Sequence, residues 1–352
     1  MNVALVGCGN IAAHYARSIA DEPRLTLVGV TDVAPERASE LARQFDATHH
    51  GSLAELLADD RVETVVNLTV PQAHANVTAA CLEAGRHVHT EKPVALAYDE
   101  AKALAELAKH RGVRLSCAPA TLLGEAQQTA WKLVRDGAVG TVRVVYAEAN
   151  WGRIESWHPS PTSLYAVGPL VDVGIYPLTV LTGIFGPARR VAAVYGTELE
   201  PQRVTRDGTP FQLETPDFLV AIVELDGGVV MRLTATFWVG PGKQRGIEFH
   251  GTEGSLYLAS WGEFDSRLEA SRDGEVYTDV PLVREPFHGI QWSRALVELA
   301  DAIADGRPHR ASAEHAAHVV EILDAVRESR TRGGAVELRS GFEQPSPTAW
   351  AS

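Results

Sequence analysis

Three short stretches carry residue types and spacings suited to chemistry. Glu91-Lys92-Pro93 follows the strand-like run Arg86-His87-Val88-His89-Thr90. A lysine at the end of a buried strand can hydrogen-bond a substrate hydroxyl and stabilise negative charge developing on its oxygen. The proline after it restricts the lysine backbone to an extended or turn shape, which helps fix its direction. In Asp172-Val173-Gly174-Ile175-Tyr176 a carboxylate and a phenol stand four residues apart at the start of a predicted helix, on one face, with a glycine between them that leaves room for approach. A tyrosine can give or take the proton of a carbinol when a nearby cation makes its phenol more acidic. Lys92 is a candidate for that cation, and Asp172 for orienting Lys92 or a second hydroxyl. The third stretch is Gly7-Cys8-Gly9-Asn10-Ile11-Ala12, between the apolar run Asn2–Val6 and a helical pattern of Ile11, Ala12, Tyr15, Ala16 and Ile19 that breaks near Pro23.

Strand, glycine turn, helix is the setting in which G-x-G-x-x-G binds a dinucleotide. The first glycine makes the turn and the second lets the backbone approach a pyrophosphate. Ala12 occupies the third position, where helix and strand pack closely. The helix N-terminus offers N–H groups and a positive dipole end to the phosphates. Leu25–Thr31 forms the next buried run and closes on Asp32. A carboxylate there accepts hydrogen bonds from ribose hydroxyls and repels a 2′-phosphate. Val33-Ala34-Pro35 supplies no arginine directly after it, so NAD is expected as cofactor, ahead of NADP. Each stretch also fits a plainer reading: Asp32 as a helix cap, Lys92 and Glu91 as a solvated pair, Asp172 as a cap with Tyr176 in the core.

The elements that must position these residues follow from length and pattern. A chain of 352 residues, 45% apolar and 22% charged, predicts two globular domains, placed at 1–118 and 119–352. The net charge of −13 argues against nucleic-acid or acidic-membrane partners. Cys8, Cys81 and Cys117 are too few and too scattered for a disulfide framework, and with a chain opening on its first strand they predict a cytoplasmic protein without a signal peptide. No apolar run is read as long enough to span a membrane.

Six predicted strands alternate with helices up to Cys117, giving a doubly wound parallel sheet. Ligands in such sheets bind past the carboxyl ends of the strands, which gathers Asp32, Thr69, Pro71, Glu91 and Lys92 around one crevice. After Ala118-Pro119 the pattern predicts a helix near Gly124–Asp136, a strand over Val142–Asn150, a loop over Trp151–Pro169 and a helix over Leu170–Phe185. A mainly antiparallel sheet then runs from about Val191 to Val280, with turns at Asp226-Gly227-Gly228, Thr252-Glu253-Gly254 and Asp273-Gly274. Helices over Ile290–Asp305 and Ser312–Ser329 follow. Trp151 and Glu155-Ser156-Trp157-His158-Pro159 suit a sugar ring, with Trp157 and His158 as candidate substrate contacts; anchoring of the loop by its tryptophans is the alternative. Phe287-His288 and Trp292 allow the same two readings. His315 and His318 read as surface-helix residues, and no metal site is expected.

Taken together, Gly7–Ala12, Glu91-Lys92-Pro93 and Asp172–Tyr176 resemble the Gfo/Idh/MocA oxidoreductases, over essentially the whole chain and in the right order. The resemblance implies a Rossmann domain, with an α+β domain whose large open sheet forms a homodimer or homotetramer. It implies a hydride transfer between a nicotinamide cofactor and a carbinol of a sugar, polyol or related cyclic compound. By the family pattern Lys92 lies close to substrate and nicotinamide, Asp172 and Tyr176 occupy the polar positions of the D-x-G-x-H motif, and Thr69, Pro71 and His74 flank the cofactor with Gly7, Gly9, Asn10 and Ile11. Two departures stand out. Tyr176 replaces the usual histidine, as in the branch resembling glucose–fructose oxidoreductase and dihydrodiol dehydrogenase, and Ala166-Val167-Gly168 stands where many relatives carry three glycines. A hydrolase that uses NAD transiently and a cofactor-bound regulator are the alternative functions.

Overall fold

Strands and helices alternate from the N-terminus: β1 (Asn2–Val6), α1 (Ala12–Ala20), β2 (Thr26–Thr31), α2 (Pro35–Phe45), β3 (Thr48–His49), α3 (Leu53–Ala58), β4 (Thr64–Asn67), α4 (Pro71–Glu83), β5 (His87–Thr90), α5 (Tyr98–Arg111) and β6 (Leu115–Cys117). In this computed structural model, which describes residues 1–158, 161–240, 242–272, 274 and 276–352, the six strands form one parallel sheet in the order β3-β2-β1-β4-β5-β6. The order reverses between β2-β1 and β4, and in sheets of this kind ligands bind at the carboxyl ends of the strands on either side of such a reversal, here β1 and β4. Val3–Val6 and Thr64–Asn67 are buried on both faces, which explains their continuous β-branched and apolar character.

One face of the sheet packs against Tyr15, Ile19 and Leu41 together with Leu296 and Val297; the other packs against Leu82 and Leu104 together with Ala313, Ala317 and Val320. Residues 291–320, which the sequence reading kept within 119–352, therefore group with the first unit, Met1–Ala120. They bring α9 (Arg294–Ala304) and the first part of α10 (Ala313–Arg332). His315 and His318, expected on a surface helix, are 3% and 0% exposed. Their places in the α10 pattern face the core, and burial pushes the His315 imidazole down to about 3.

The second unit comprises Thr121–Ile290 and Glu321–Ser352. After α6 (Glu125–Arg135) comes β7 (Val142–Asn150). The expected loop over Trp151–Pro169 is partly helical: a 3₁₀ turn at Ile154–Ser156, then α7 (Pro161–Pro169), a π-helical turn at Leu170–Gly174, and α8 (Ile175–Phe185). Pro161 suits a first helical position, where its missing N–H costs nothing, and Gly168, at φ +77°, makes the break before the π turn. By length and composition Pro161–Phe185 could cross a membrane, contrary to the sequence reading, but 67% of that apolar window is buried inside the protein, as a core helix requires. Pro159 of the candidate sugar loop and Asp273 of the third expected turn lie outside the described residues.

The remaining strands are β8 (Ala188–Thr197), β9 (Gln202–Val204), β10 (Pro210–Gln212), β11 (Phe218–Leu225), β12 (Val230–Thr236), β13 (Gly246–Gly251), β14 (Gly254–Leu258), β15 (Leu268–Arg272), β16 (Thr278–Asp279) and β17 (Val336–Glu337). Nine strands form a sheet in the order β16-β15-β14-β13-β7-β12-β11-β8-β17, antiparallel apart from the β7–β12 pair, while β9 and β10 make a separate ribbon. Burial alternates strictly along β11, so one face packs inward and the other is open. The π turn and α8 pack on β7 and β12 of the covered face.

Candidate active site

The glycine turn leaves β1 at Gly7, whose N–H donates to the Thr31 carbonyl at 2.9 Å. Gly7 has φ +98°, and a Cβ there would lie 2.7 Å from the Leu68 carbonyl carbon, so only glycine lets β1 turn this close to β4. Gly9 is different: nothing lies within 4 Å of where its Cβ would be, and Gly9 and Asn10 are exposed with Ile11 beside them. That open backbone, directly before the N-terminus of α1, fits an approaching pyrophosphate.

Asp32 closes β2 and is not the cap of α2, whose N-cap is Ala34. Its Oδ2 accepts from Cys8 N at 2.5 Å and its Oδ1 from Ala34 N at 2.7 Å. These bonds aim the carboxylate across the turn and leave each oxygen a further lone pair for a ribose hydroxyl. The same carboxylate, after burial as the larger cause, pushes the Cys8 thiol up to about 12, so Cys8 is a filler and not a nucleophile. Arg37 on α2 acts electrostatically on the same thiol.

Asn67, at the end of β4, is fully buried and organises the next wall. Its Nδ2 donates to the His74 carbonyl and to Thr78 Oγ1, both at 3.1 Å, while its Oδ1 accepts from Thr69 N at 3.2 Å and Thr69 Oγ1 at 2.7 Å. Pro71 starts α4 in the first turn. His74 is 1% exposed and places Nδ1 2.7 Å from the Pro93 carbonyl and Nε2 2.9 Å from the Thr69 carbonyl. The imidazole thus links the turn after β4 to the turn that carries Lys92.

Glu91 is fixed from behind. Its Oε1 accepts from the Tyr15 hydroxyl at 2.9 Å, and its Oε2 from Lys92 N at 3.2 Å. Tyr15 lies 3.4 Å from His89 Nε2, and His89 Nδ1 lies 3.0 Å from Ser116 Oγ. Burial pushes the His89 imidazole down to about 3, so the ring is neutral with a single N–H. One tautomer satisfies the whole chain: Ser116 donates to Nδ1, Nε2–H donates to Tyr15, and Tyr15 donates to Glu91. All the first-unit residues singled out in the sequence (Gly7, Gly9, Asn10, Ile11, Asp32, Thr69, Pro71, His74, Glu91 and Lys92) lie on turns at the carboxyl ends of β1, β2, β4 and β5 or on the helices those turns open. The backbone and donor set fit a dinucleotide.

In the second unit Asp172 lies inside the π-helical turn and Tyr176 in the first turn of α8. The wider π turn still keeps residues four apart on neighbouring faces. Gly174 serves packing, not approach: a Cβ there would press to 3.1 Å from Leu170 Cδ1 and 3.4 Å from Ala235 Cβ. The Tyr176 ring lies against Trp261, centroids 4.7 Å apart. Trp261 continues to Trp151 at 6.2 Å and Trp151 to Trp157 at 6.1 Å. Trp157 meets His158 edge-on at 5.4 Å.

Arg203 is buried against Glu155, Glu200 and Asp217, and its guanidinium lies over Trp238 at 4.8 Å. Glu155 Oε2 also accepts from the Tyr165 hydroxyl at 2.5 Å; burial and then this carboxylate push the phenol pKa up. Of the other candidates, Trp292 stacks on His14 at 5.7 Å and lies tilted against Tyr15 at 5.3 Å, and His288 pairs with Asp265 at 3.1 Å. Sequence reasoning missed Asn67, Tyr15, His89, Trp261 and Arg203. Only Asn67 left a signal, as a polar residue ending an otherwise apolar buried strand.

A family model described as the oxidoreductase family with an NAD-binding Rossmann fold matches residues 1–118, and the GFO/IDH/MocA C-terminal domain matches residues 127–257. The chain is 25% identical over 318 residues to scyllo-inositol 2-dehydrogenase (NADP(+)) of Bacillus subtilis, covering 85% of this chain and 86% of that one. It is also 25% identical over 288 residues to levoglucosan dehydrogenase of Pseudarthrobacter phenanthrenivorans, covering 73% of each. An NAD-binding oxidoreductase structure from Klebsiella pneumoniae shares the fold, with a TM-score of 0.83 at 22% identity over 97% of this chain and 99% of that chain. With both halves matched in order, the chain belongs to the Gfo/Idh/MocA family of NAD(P)-dependent oxidoreductases.

Proposed function

We propose that the protein oxidises a carbinol of a sugar, polyol or related cyclic compound, with NAD as the preferred cofactor. The observation that supports this reading is the carboxyl edge of the parallel sheet, which carries an open glycine turn, an aimed Asp32 carboxylate, the Asn67-pinned Thr69 turn and the Lys92 turn. The Bacillus and Pseudarthrobacter relatives, named for a cyclitol and an anhydrosugar, support the substrate class.

The bound nicotinamide supplies the hydride acceptor. Tyr176 takes the hydroxyl proton of the substrate, Lys92 stabilises the negative oxygen that results, and Asp172 orients the lysine or a neighbouring hydroxyl. Trp157 and His158 contact the substrate. Gly7, Gly9, Asn10 and Ile11 form the phosphate turn, Asp32 holds the ribose, and Thr69 and Pro71 form the wall beyond it. His74 and Glu91, whose side chains bond within the fold, shape that site and set the direction of Lys92.

Absorbance of reduced cofactor, with NAD or NADP and a panel of cyclitols, aldoses and polyols, tests the reading. NADH is expected to form faster than NADPH, and Tyr176→Phe is expected to lower kcat by about 100-fold or more. Faster NADPH formation overturns the role of Asp32, and an unchanged rate in Tyr176→Phe overturns that of the phenol. We propose further that the open face of the large sheet, where Tyr195 is 62% exposed and Arg232 lies over Tyr146 at 4.0 Å, joins copies into a homodimer or homotetramer. The three free thiols support a cytoplasmic location.

A further inference from the structure

The second unit carries an aromatic surface whose role the reaction chemistry does not explain. Four rings follow one another: Tyr176, Trp261, Trp151 and Trp157, with centroid spacings of 4.7, 6.2 and 6.1 Å and interplanar tilts of 41°, 38° and 32°. Each ring tilts against the last. Trp151 and Trp157 are 40% and 48% exposed, an uncommon fate for the largest apolar side chain.

The middle of this series is held rigidly. Trp261 Nε1 donates to the Glu148 carbonyl of β7 at 3.3 Å. Its loop is closed by Ala259 N to Arg267 O at 3.0 Å and by Ser260 N to Ser266 Oγ at 2.7 Å. The fully buried Gln127 of α6 donates to the carbonyls of Ser260, at 3.3 Å, and Glu263, at 3.0 Å, on either side of the tryptophan. A wall so fixed loses little entropy when something is laid on it.

We propose that these tryptophans, with Trp261 as the decisive one, select a ring-closed substrate by stacking on its C–H face. The proposal rests on Tyr176 being the acid/base of a carbinol oxidation. A six-membered sugar or cyclitol ring concentrates its C–H bonds on its two faces and its equatorial hydroxyls on the rim. Lying on an aromatic surface, it buries the apolar face and keeps rim hydroxyls hydrogen-bonded, one of them toward the phenol beside Trp261. An open-chain polyol presents hydroxyls on every side and gains no such contact without stripping some of them of water. The wall therefore discriminates between two molecules of nearly the same composition by shape.

The test is ligand binding to the full-length protein, followed by tryptophan fluorescence and calorimetry, with turnover measured in parallel. The probes are methyl β-glucopyranoside and myo-inositol, which stay closed, and sorbitol, which is open. The closed probes are expected to quench fluorescence and to bind tighter than sorbitol. Trp261→Leu is expected to weaken the closed probes by about tenfold and sorbitol by less than about twofold. Trp261→Phe, which keeps a flat face, and Trp157→Ala, at an exposed position, are expected to give smaller losses of the same sign, and they serve if Trp261→Leu does not fold. Equal weakening of closed and open probes, equal affinities in the wild-type protein, or no binding of either closed probe overturns the proposal. Turnover separates it from the reading it rests on. Closed-ring binding that depends on Trp261 without cofactor reduction retains the wall and removes the oxidation. Oxidation with a closed-to-open ratio unchanged in the variants retains the oxidation and removes the wall.

Discussion

Each unit of the molecule steadies its functional turn with buried polar groups, but by opposite electrostatic means. Behind Lys92, the first unit uses a chain of neutral donors and acceptors, Ser116–His89–Tyr15, that ends on a single carboxylate, Glu91. Beneath the Trp157 loop, the second unit uses full charges: Arg203, 1% exposed at its side chain, held between Glu155 and Asp217. A neutral chain forfeits one hydrogen bond when a link is cut. A charged cluster leaves an ion in a medium that cannot solvate it. The Lys92 turn is therefore tunable, and the Trp157 turn close to all-or-none.

The widest gap between the two is expected on removing the buried cation. Arg203→Leu leaves Asp217 and Glu155 uncompensated and should cost about 3–5 kcal/mol, read as a lower urea midpoint with the Ile154–Ser156 turn opened to proteolysis. Tyr15→Phe removes one donor from Glu91 and should cost about 1–3 kcal/mol, with kcat falling more than KM rises. If Tyr15→Phe proves the costlier change, the contrast between charged and neutral support fails.

Acid sharpens the comparison. His87, His89, His309 and His315, all in the first unit, have imidazole pKa values lowered by burial, those of His89 and His315 to about 3. Below the ordinary 6.5 the unfolded chain binds protons that the folded chain refuses. Stability is therefore expected to fall as pH drops from about 6.5 toward 3, by about 1.4 kcal/mol per pH unit for each of His89 and His315, with His87 and His309 adding in the same direction. Hydrogen exchange at pH 5 should show the first unit loosening before the second, and His89→Gln should shallow the slope by about one proton. As the low end of the scale, Glu40→Ala, which breaks an exposed pair with Arg43 (64% and 77% exposed side chains), is expected to change stability by less than about 0.5 kcal/mol in a urea melt.

What could be read from the sequence was local. The glycine turn, Asp32 and the Val142–Asn150 strand each declare themselves within a few residues, because spacing and period are local properties. What escaped depends on partners far apart in sequence: Tyr15 meets Glu91 across 76 positions, and Trp261 meets Glu148 across 113. Arg203 reads as a surface charge until the ribbon of β9 and β10 carries it onto Glu155 and Asp217, far from it in sequence, beside the nearby Glu200. Proline and serine between Trp151 and Pro169 suggested a loop, yet Pro161 opens a helix there, a position that tolerates proline as well as a loop does. Gly174 shows the reverse case: the residue was noticed and its purpose misread, since what approaches it is Ala235 of β12 and not a ligand.

The first unit is built from two separated pieces of chain, and this has a consequence during synthesis. By the time residue 120 has left the ribosome all six strands of the parallel sheet exist, but one flank of the sheet still lacks Leu296, Val297 and Trp292, and the other lacks Ala313, Ala317 and Val320. The nascent sheet must wait, its apolar flanks open, while the whole of Thr121–Ile290 is translated. Chaperone demand and the risk of misassociation are thus greatest for the part that appears first, and the dinucleotide-binding half closes only when residues 291–320 have been made.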